Sequence, residues 1–233
     1  MDGNPLQSKF SQIDWSLYAI VDKEGLGGRT VEEFAVQVLR GGAGVLQYRN
    51  KVSESREFYA EAQRLREVTR RFCVPFIVND RLDIALGVDA DGVHLGKKDV
   101  PLDVARKLMG RRKIIGVSVQ CLLDVQTIGE ADYLGVGAIY RTETHRNYAI
   151  AGIETLARIR RETRLPIVGI GGITLQNALS VIQAGADGVA VISALMNCSD
   201  PETEARQFVE KIKHAKFKEV QTRGLSKDDY GFT

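Results

Sequence analysis

Two aspartates stand just beyond short apolar runs. Asp80 follows the run 76–78 beside Asn79, and Asp99 follows 93–95 behind Lys97 and Lys98. A strand that crosses a core and releases acids at its C-terminal end is how an α/β barrel presents a metal or phosphate site. Acids leaving neighbouring strands at one rim can share a hard cation, because Mg²⁺ takes one or two carboxylates and fills its other positions with water and substrate phosphate. The competing reading is local: Asp is a favoured N-cap, so Asp80 would open a short helix at Arg81 and Asp99 another near Val100. The polar groups at other strand ends bear on the choice.

The second apolar run continues into Gln47-Tyr48-Arg49-Asn50-Lys51. Alternation puts Gln47, Arg49 and Lys51 on one face and Tyr48 and Asn50 on the other. Three long polar side chains facing inward pack poorly but suit a phosphorylated ligand, since Arg binds phosphate oxygens bidentately; a solvated strand end is the alternative. Ser118 closes a fifth run and by itself reads as a turn or cap residue. The stretch 137–146, GAIYRTETHR, offers hydroxyls at Thr142 and Thr144 and cations at Arg141 and Arg146, equally a polar substrate edge or a surface loop. Gly169-Ile170-Gly171-Gly172-Ile173-Thr174 and Val191-Ile192-Ser193-Ala194 each bring backbone N–H groups to a helix start, as the last two loops of such barrels do when they hold phosphate. Glycines that only relieve crowding would also explain the first. The residues therefore suggest a barrel enzyme with two anionic subsites, one metal-bridged near Asp80 and Asp99 and one backbone-lined near Gly172 and Ser193.

The elements that must position these groups alternate. Strands are expected at 17–21, 45–48, 76–78, 93–95, 114–119, 133–137, 167–170 and 189–192, and helices at 31–39, 53–72, 82–86, 102–108, 122–128, 153–162, 175–184 and 202–214. Strict β–α alternation with eight strands implies a parallel sheet closed into a single (β/α)₈ TIM barrel. Gly41-Gly42 and the runs 87–92 and 184–188, which share "aDGV", mark turns from helix into strand, where a left-handed glycine is wanted. An open doubly wound sheet would carry GxGxxG after its first strand, and the sequence after 17–22 has the wrong glycine spacing. The expected organisation is an extension over 1–16, a catalytic barrel over 17–215 and a polar tail over 216–233. Gly25, Gly27 and Gly28 are candidate hinges for a closing loop.

Composition narrows the class. The 233 residues are 44 % hydrophobic and 27 % charged, enough for one barrel of roughly 250 residues. A net charge of +2, with cations scattered among acids, argues against a nucleic-acid surface. No apolar run reaches the roughly 20 residues that cross a bilayer, and no signal-peptide core opens the chain, so no membrane partner and a cytoplasmic location are expected. Cys73, Cys121 and Cys198 lack metal or disulfide spacing and read as reduced small hydrophobes. His94 reads as a packed, hydrogen-bonded core residue and His214 as a surface group. A homo-oligomer is left open.

Six segments in order, QYRNK, PFIVNDRLDIAL, ADGVHLGKKD, GVSV, GIGGIT and AGADGVAVISAL, resemble the successive motifs of the thiamine phosphate synthase family and span about 17–214. The resemblance implies a barrel enzyme that joins 4-amino-5-hydroxymethyl-2-methylpyrimidine diphosphate to a methylthiazole ethyl phosphate, with Mg²⁺ as cofactor and these small molecules as its partners. It assigns Gln47, Tyr48, Arg49, Asn50, Lys51, Asn79 and Ser118 to the pyrimidine diphosphate, Asp80 and Asp99 to the metal, and Thr142, Glu143, Thr144, Gly172, Ile192 and Ser193 to the thiazole phosphate. Arg49, Lys51, Ser118 and His145 would carry the catalysis. One departure stands out: the family loop resembles GPIFPTxTK where this chain has GAIYRTETH, so a phosphate-binding lysine becomes His145. With an ordinary pKa of about 6.5, His145 is largely neutral at pH 7 unless the diphosphate holds it protonated; otherwise Arg141 or Arg146 replaces the lost charge. Two rivals share the fold: a thiazole tautomerase-like barrel, which has no diphosphate to bind, and a non-catalytic binder of thiamine precursors.

Overall fold

Eight short runs rich in Val, Ile and Leu form the strands of a parallel barrel, because each is covered by side chains on one face and by helices on the other. In the computed structural model, which describes residues 12–142 and 150–224 (219–224 as backbone only), the strands are β1 Leu17–Asp22, β2 Val45–Arg49, β3 Phe76–Asn79, β4 Gly92–Leu95, β5 Ile114–Val119, β6 Tyr133–Gly137, β7 Ile167–Ile170 and β8 Gly188–Val191. They pair in sequence order, and β8 closes on β1. Every strand lies within one residue of its expected limits.

Alternate residues separate into two cores. Tyr18, Ile20, Val45, Ile77, Ile114, Tyr133, Val168 and Ala190 pack with Trp15 inside the barrel. Their neighbours, such as Leu46, Tyr48, Val78 and Val93, face outward against Phe34, Phe58, Leu65 and Leu156 of the helices. The helices are α1 Val31–Arg40, α2 Ser55–Phe72, α3 Leu82–Gly87, α4 Leu102–Met109, α5 Leu122–Val125, α6 Gly152–Glu162, α7 Ala178–Gln183, α8 Ser193–Met196 and α9 Pro201–Gly224. Thr30 opens α1 with a capping box to Glu33. The start of α2 moves from 53 to 55, α8 is an unexpected element, and three other helices depart further from expectation. The helix expected at 122–128 shortens to α5, which Asp124 opens by accepting from Gln120 N and Cys121 N, and the one expected at 175–184 starts late as α7, since Asn177 Oδ1 accepts from Thr174 N, a local bond that competes with helix. The last helix continues past His214, for no Gly or Pro interrupts it before Gly224.

The "aDGV" recurrence has a structural cause on the N-terminal face. Asp91 and Asp187 precede β4 and β8, and each accepts the first N–H of the preceding strand, from Phe76 and Ile167, while pairing with Arg66 or Arg160. Asp132, before β6, accepts the second N–H of β5, from Ile115, and pairs with Arg106. In the turn at 87–92 it is Asp89, at φ 52°, that takes the left-handed conformation rather than a glycine. Gly188 has no room for a side chain, since a Cβ would meet Trp15 O at 1.6 Å. Cys73 is exposed and ends α2 at φ 54°, so it is a helix terminator rather than a packed hydrophobe.

Candidate active site

A cavity of about 560 Å³ opens at the C-terminal rim of the barrel. Gln47, Arg49 and Lys51 line it from β2 and its loop, Asn79 and Asp80 from β3, Asp99 from the β4 loop, Ser118 from β5 and Ile192 from the end of β8. Tyr48 and Asn50 lie on the opposite face and do not line it. Tyr48 packs edge-on to Phe58 and donates to Glu61, and Asn50 Nδ2 donates to the Tyr48 hydroxyl (3.0 Å) and to Glu61 (3.2 Å). Asn50 Oδ1 also accepts from Val52 N and Ser53 N, so the pair anchors the loop that carries Lys51. Gly172 and Ser193 sit beside the cavity without lining it. A Cβ on Gly172, at φ 64°, would meet Arg141 O at 2.5 Å, so this glycine lets the β7 and β6 loops pack together. Thr142 lies at the end of the described β6 loop; Glu143, Thr144, His145 and Arg146 fall outside the described residues.

Asp80 and Asp99 meet at the rim. Asp80 adopts φ 60°, a conformation that costs energy for any residue with a Cβ, and is fixed there by its N–H donating to His94 O at 2.8 Å. Its carboxylate does not cap α3, whose N-cap Arg81 makes no side-chain capping bond; it pairs with Lys51 instead. Asp99 does not cap α4, which starts at Leu102; it accepts from Gly96 N at 2.6 Å. Burial, and then the Asp80 carboxyl close enough to share a hydrogen bond, hold the Asp99 carboxyl above its ordinary pKa. Two carboxylates that repel each other on one rim are the donor set an Mg²⁺ ion takes, with water and phosphate completing its shell. Among the described residues no group of three or more His, Cys, Asp or Glu gathers into an all-protein metal cage.

Cations surround these acids. Arg49 Nη1 is held by Asp22 Oδ2 at 2.6 Å, and Lys97 Nζ by Asp124 at 2.8 Å, while Lys98 lines the same wall. Beneath them, Ile20, Val168, Ile170 and Ile192 form an apolar side, and Tyr18, Tyr133 and His94 a polar floor. His94 is hydrogen-bonded as expected, yet it also faces the cavity, and burial lowers its pKa to about 4, so it is neutral at pH 7. Sequence reasoning passed over Asp22, Tyr18 and Tyr133. Alternation does put Tyr18 on the face of Ile20, but an aromatic in an apolar run is indistinguishable from packing until its hydroxyl finds a partner.

The family model described as thiamine monophosphate synthase (TMP-TENI) matches residues 17–195. The chain belongs to the thiamine monophosphate synthase family. Among its relatives in that family, the thiamine-phosphate synthase of Syntrophomonas wolfei is 48 % identical over 199 residues, covering 84 % of this chain and 95 % of the relative. That of Ruminiclostridium cellulolyticum is 43 % identical over 203 residues, covering 86 % and 96 %. A solved thiamine phosphate pyrophosphorylase from Pyrococcus furiosus superposes with a TM-score of 0.79 at 36 % identity, over 87 % of this chain and 98 % of that one. No described helix is long and apolar enough to cross a membrane.

Proposed function

We propose that this thiamine monophosphate synthase family member joins 4-amino-5-hydroxymethyl-2-methylpyrimidine diphosphate to 4-methyl-5-(2-phosphoethyl)thiazole, or its carboxylated form, giving thiamine phosphate and pyrophosphate. The observation that carries this reading is the convergence of Asp80 and Asp99 from adjacent strands, with Lys51, Arg49 and Ser118 around one cavity. That constellation suits a leaving diphosphate, which a tautomerase would not require. Asp80 and Asp99 would hold Mg²⁺, which when bound supplies positive charge against the departing diphosphate oxygens.

The pyrimidine methylene C–O bond breaks with its electron pair leaving on the diphosphate, and the thiazole nitrogen forms the new C–N bond. No enzyme nucleophile is needed. Arg49 and Lys51 stabilise the leaving charge, and Ser118 donates a hydrogen bond to it. Asp22 fixes the Arg49 guanidinium before substrate arrives, so little reorganisation accompanies the charge transfer. Ile20, Val168, Ile170 and Ile192 exclude the water that would otherwise capture the electron-poor methylene. Gly172, Ile192 and Ser193 take the thiazole phosphate, and Thr142, Glu143, Thr144 and His145 are assigned to the same substrate by the family resemblance. We place the enzyme in the cytoplasm, in keeping with its free cysteines.

The test is to incubate the protein with Mg²⁺ and each substrate alone, then with both, following pyrophosphate and thiamine phosphate. Equal release of the two products only when both substrates are present is expected. Rearranged thiazole without pyrophosphate would assign the tautomerase reaction, and no turnover a binding role.

A further inference from the structure

The barrel floor carries a continuous hydrogen-bonded chain whose members span five strands. Gln47 Nε2 donates to the Tyr18 hydroxyl at 2.8 Å, and Tyr18 and Tyr133 share a bond of 2.7 Å. Tyr133 meets His94 Nδ1 at 2.8 Å, and His94 Nε2 meets Ser118 Oγ at 3.0 Å. Room for it is built in: a Cβ on Gly116 would lie 2.0 Å from Tyr133 Cζ, and one on Gly135 would lie 2.9 Å from His94 Cε1. Trp15 closes the chain from below, its ring 4.9 Å from that of Tyr133.

One direction of donation gives every proton in the chain a partner. The Gln47 amide nitrogen can only donate, so Tyr18 accepts from it, and the Tyr18 proton finds its partner within the chain when it turns to Tyr133. Tyr133 then donates to His94 Nδ1, and a neutral imidazole that accepts at Nδ1 carries its proton on Nε2. Each ring nitrogen of His94 has a hydroxyl partner, so one ring proton satisfies both contacts, and burial holds both tyrosines above their ordinary pKa, so they keep their protons near pH 7. His94 Nε2–H donates to Ser118 Oγ, which leaves the one proton of Ser118 free to point into the cavity.

We propose that Tyr18, Tyr133 and His94 are positioning residues that set the His94 tautomer and thereby commit the Ser118 hydroxyl to donate to a diphosphate oxygen. The proposal rests on the diphosphate-transfer reading of the same site. Reversed, the chain would spend the Ser118 proton on His94 and present the diphosphate with an oxygen lone pair.

Two measurements on the full chain test it. ¹⁵N NMR of histidine-labelled protein at pH 7 should show His94 as the Nε2–H tautomer, and Tyr133→Phe should leave a mixture of tautomers. Affinity for inorganic pyrophosphate with Mg²⁺, measured by titration calorimetry, should weaken about tenfold in Tyr133→Phe and in His94→Leu. His94→Gln, whose amide can reproduce the Nε2 donor, should recover most of that loss. An Nδ1–H tautomer in the wild-type protein, unchanged affinity in both Tyr133→Phe and His94→Leu, or no recovery by His94→Gln overturns the relay. Absence of thiamine phosphate formation by the wild-type protein overturns the functional reading, independently of these two readouts.

Discussion

Replacing Asp99 by Asn separates stability from function in opposite directions. In the free protein Asp99 pays for its position: burial and the neighbouring Asp80 both oppose its charge. Two unit charges about 4 Å apart interact by about 4 kcal/mol at an effective dielectric of about 20. Lys51 on Asp80 offsets most of this, which leaves a net penalty of about 1 kcal/mol. The amide removes the charge while its oxygen still accepts from Gly96 N. For a chain of this size about 1 kcal/mol corresponds to roughly 2–4 °C in Tm. Thermal unfolding followed by circular dichroism in EDTA should therefore show Asp99→Asn melting a few degrees above the wild type. Added Mg²⁺ with pyrophosphate should raise the wild-type Tm, because a ligand bound only by the folded state stabilises it, and should raise the variant's far less. Synthase turnover should fall by about 10²-fold, the scale set by losing one electrostatic contact to a transition state. A variant that melts lower in EDTA, or that keeps its Mg²⁺-dependent turnover, would refute the reasoning.

Three further expectations follow from the geometry. Glu61→Ala should lower stability by about 2 kcal/mol, the cost of leaving the Tyr48 hydroxyl and the Asn50 amide without their acceptor, and should raise KM for the pyrimidine diphosphate more than it lowers kcat, since the Lys51 loop loses its anchor; chemical denaturation and steady-state kinetics measure both. Arg106→Ala should cost about 3 kcal/mol with KM unchanged, because Asp132 and the carbonyls of Gly110, Lys113 and Glu130 lose one shared donor far from the cavity. His94 has a folded pKa of about 4, below its unfolded value of about 6.5, so the unfolded chain binds the extra proton between those limits. Its contribution is whole above pH 6.5 and is lost as pH falls toward 4, by about 3 kcal/mol in total; Asp99, raised in the folded state, acts in the opposite sense near the acid end. His94→Gln should flatten the stability loss between pH 6.5 and 4 relative to wild type, as urea titrations across that range would show.

The parts of the fold legible in the sequence were those with one dominant cause. Parallel strands buried on both faces read as unbroken apolar runs, and all eight stood out. Two short helices were less legible than those at 82–86 and 102–108: the segments after Cys121 and Leu175 have apolar spacing suited to helix, yet α5 ends at Val125 and Asn177, bonded to Thr174 N, delays the start of α7. Within the site, alternation correctly sorted Gln47, Arg49 and Lys51 from Tyr48 and Asn50, because a strand leaves no freedom about which face a side chain takes. The resemblance placed Tyr48 and Asn50 with the ligand groups, whereas their hydroxyl and amide point to Glu61. Asp22 was invisible, since an acid ending the first strand gains its meaning only from Arg49, its register partner on β2. The tyrosines and His94 were hidden for a different reason: hydrophobic pattern registers where a ring is buried and is blind to what its polar atom touches.

The claim underlying the account is that Asp80 and Asp99 hold one divalent ion against a diphosphate. Anomalous scattering from crystals grown with Mn²⁺ and pyrophosphate addresses it directly. The expected result is a single strong peak coordinated by carboxylate oxygens of both aspartates and by pyrophosphate, with the Lys51 ammonium moved from Asp80 onto the anion. A peak bound by neither aspartate, in crystals of protein whose turnover requires the metal, would contradict it.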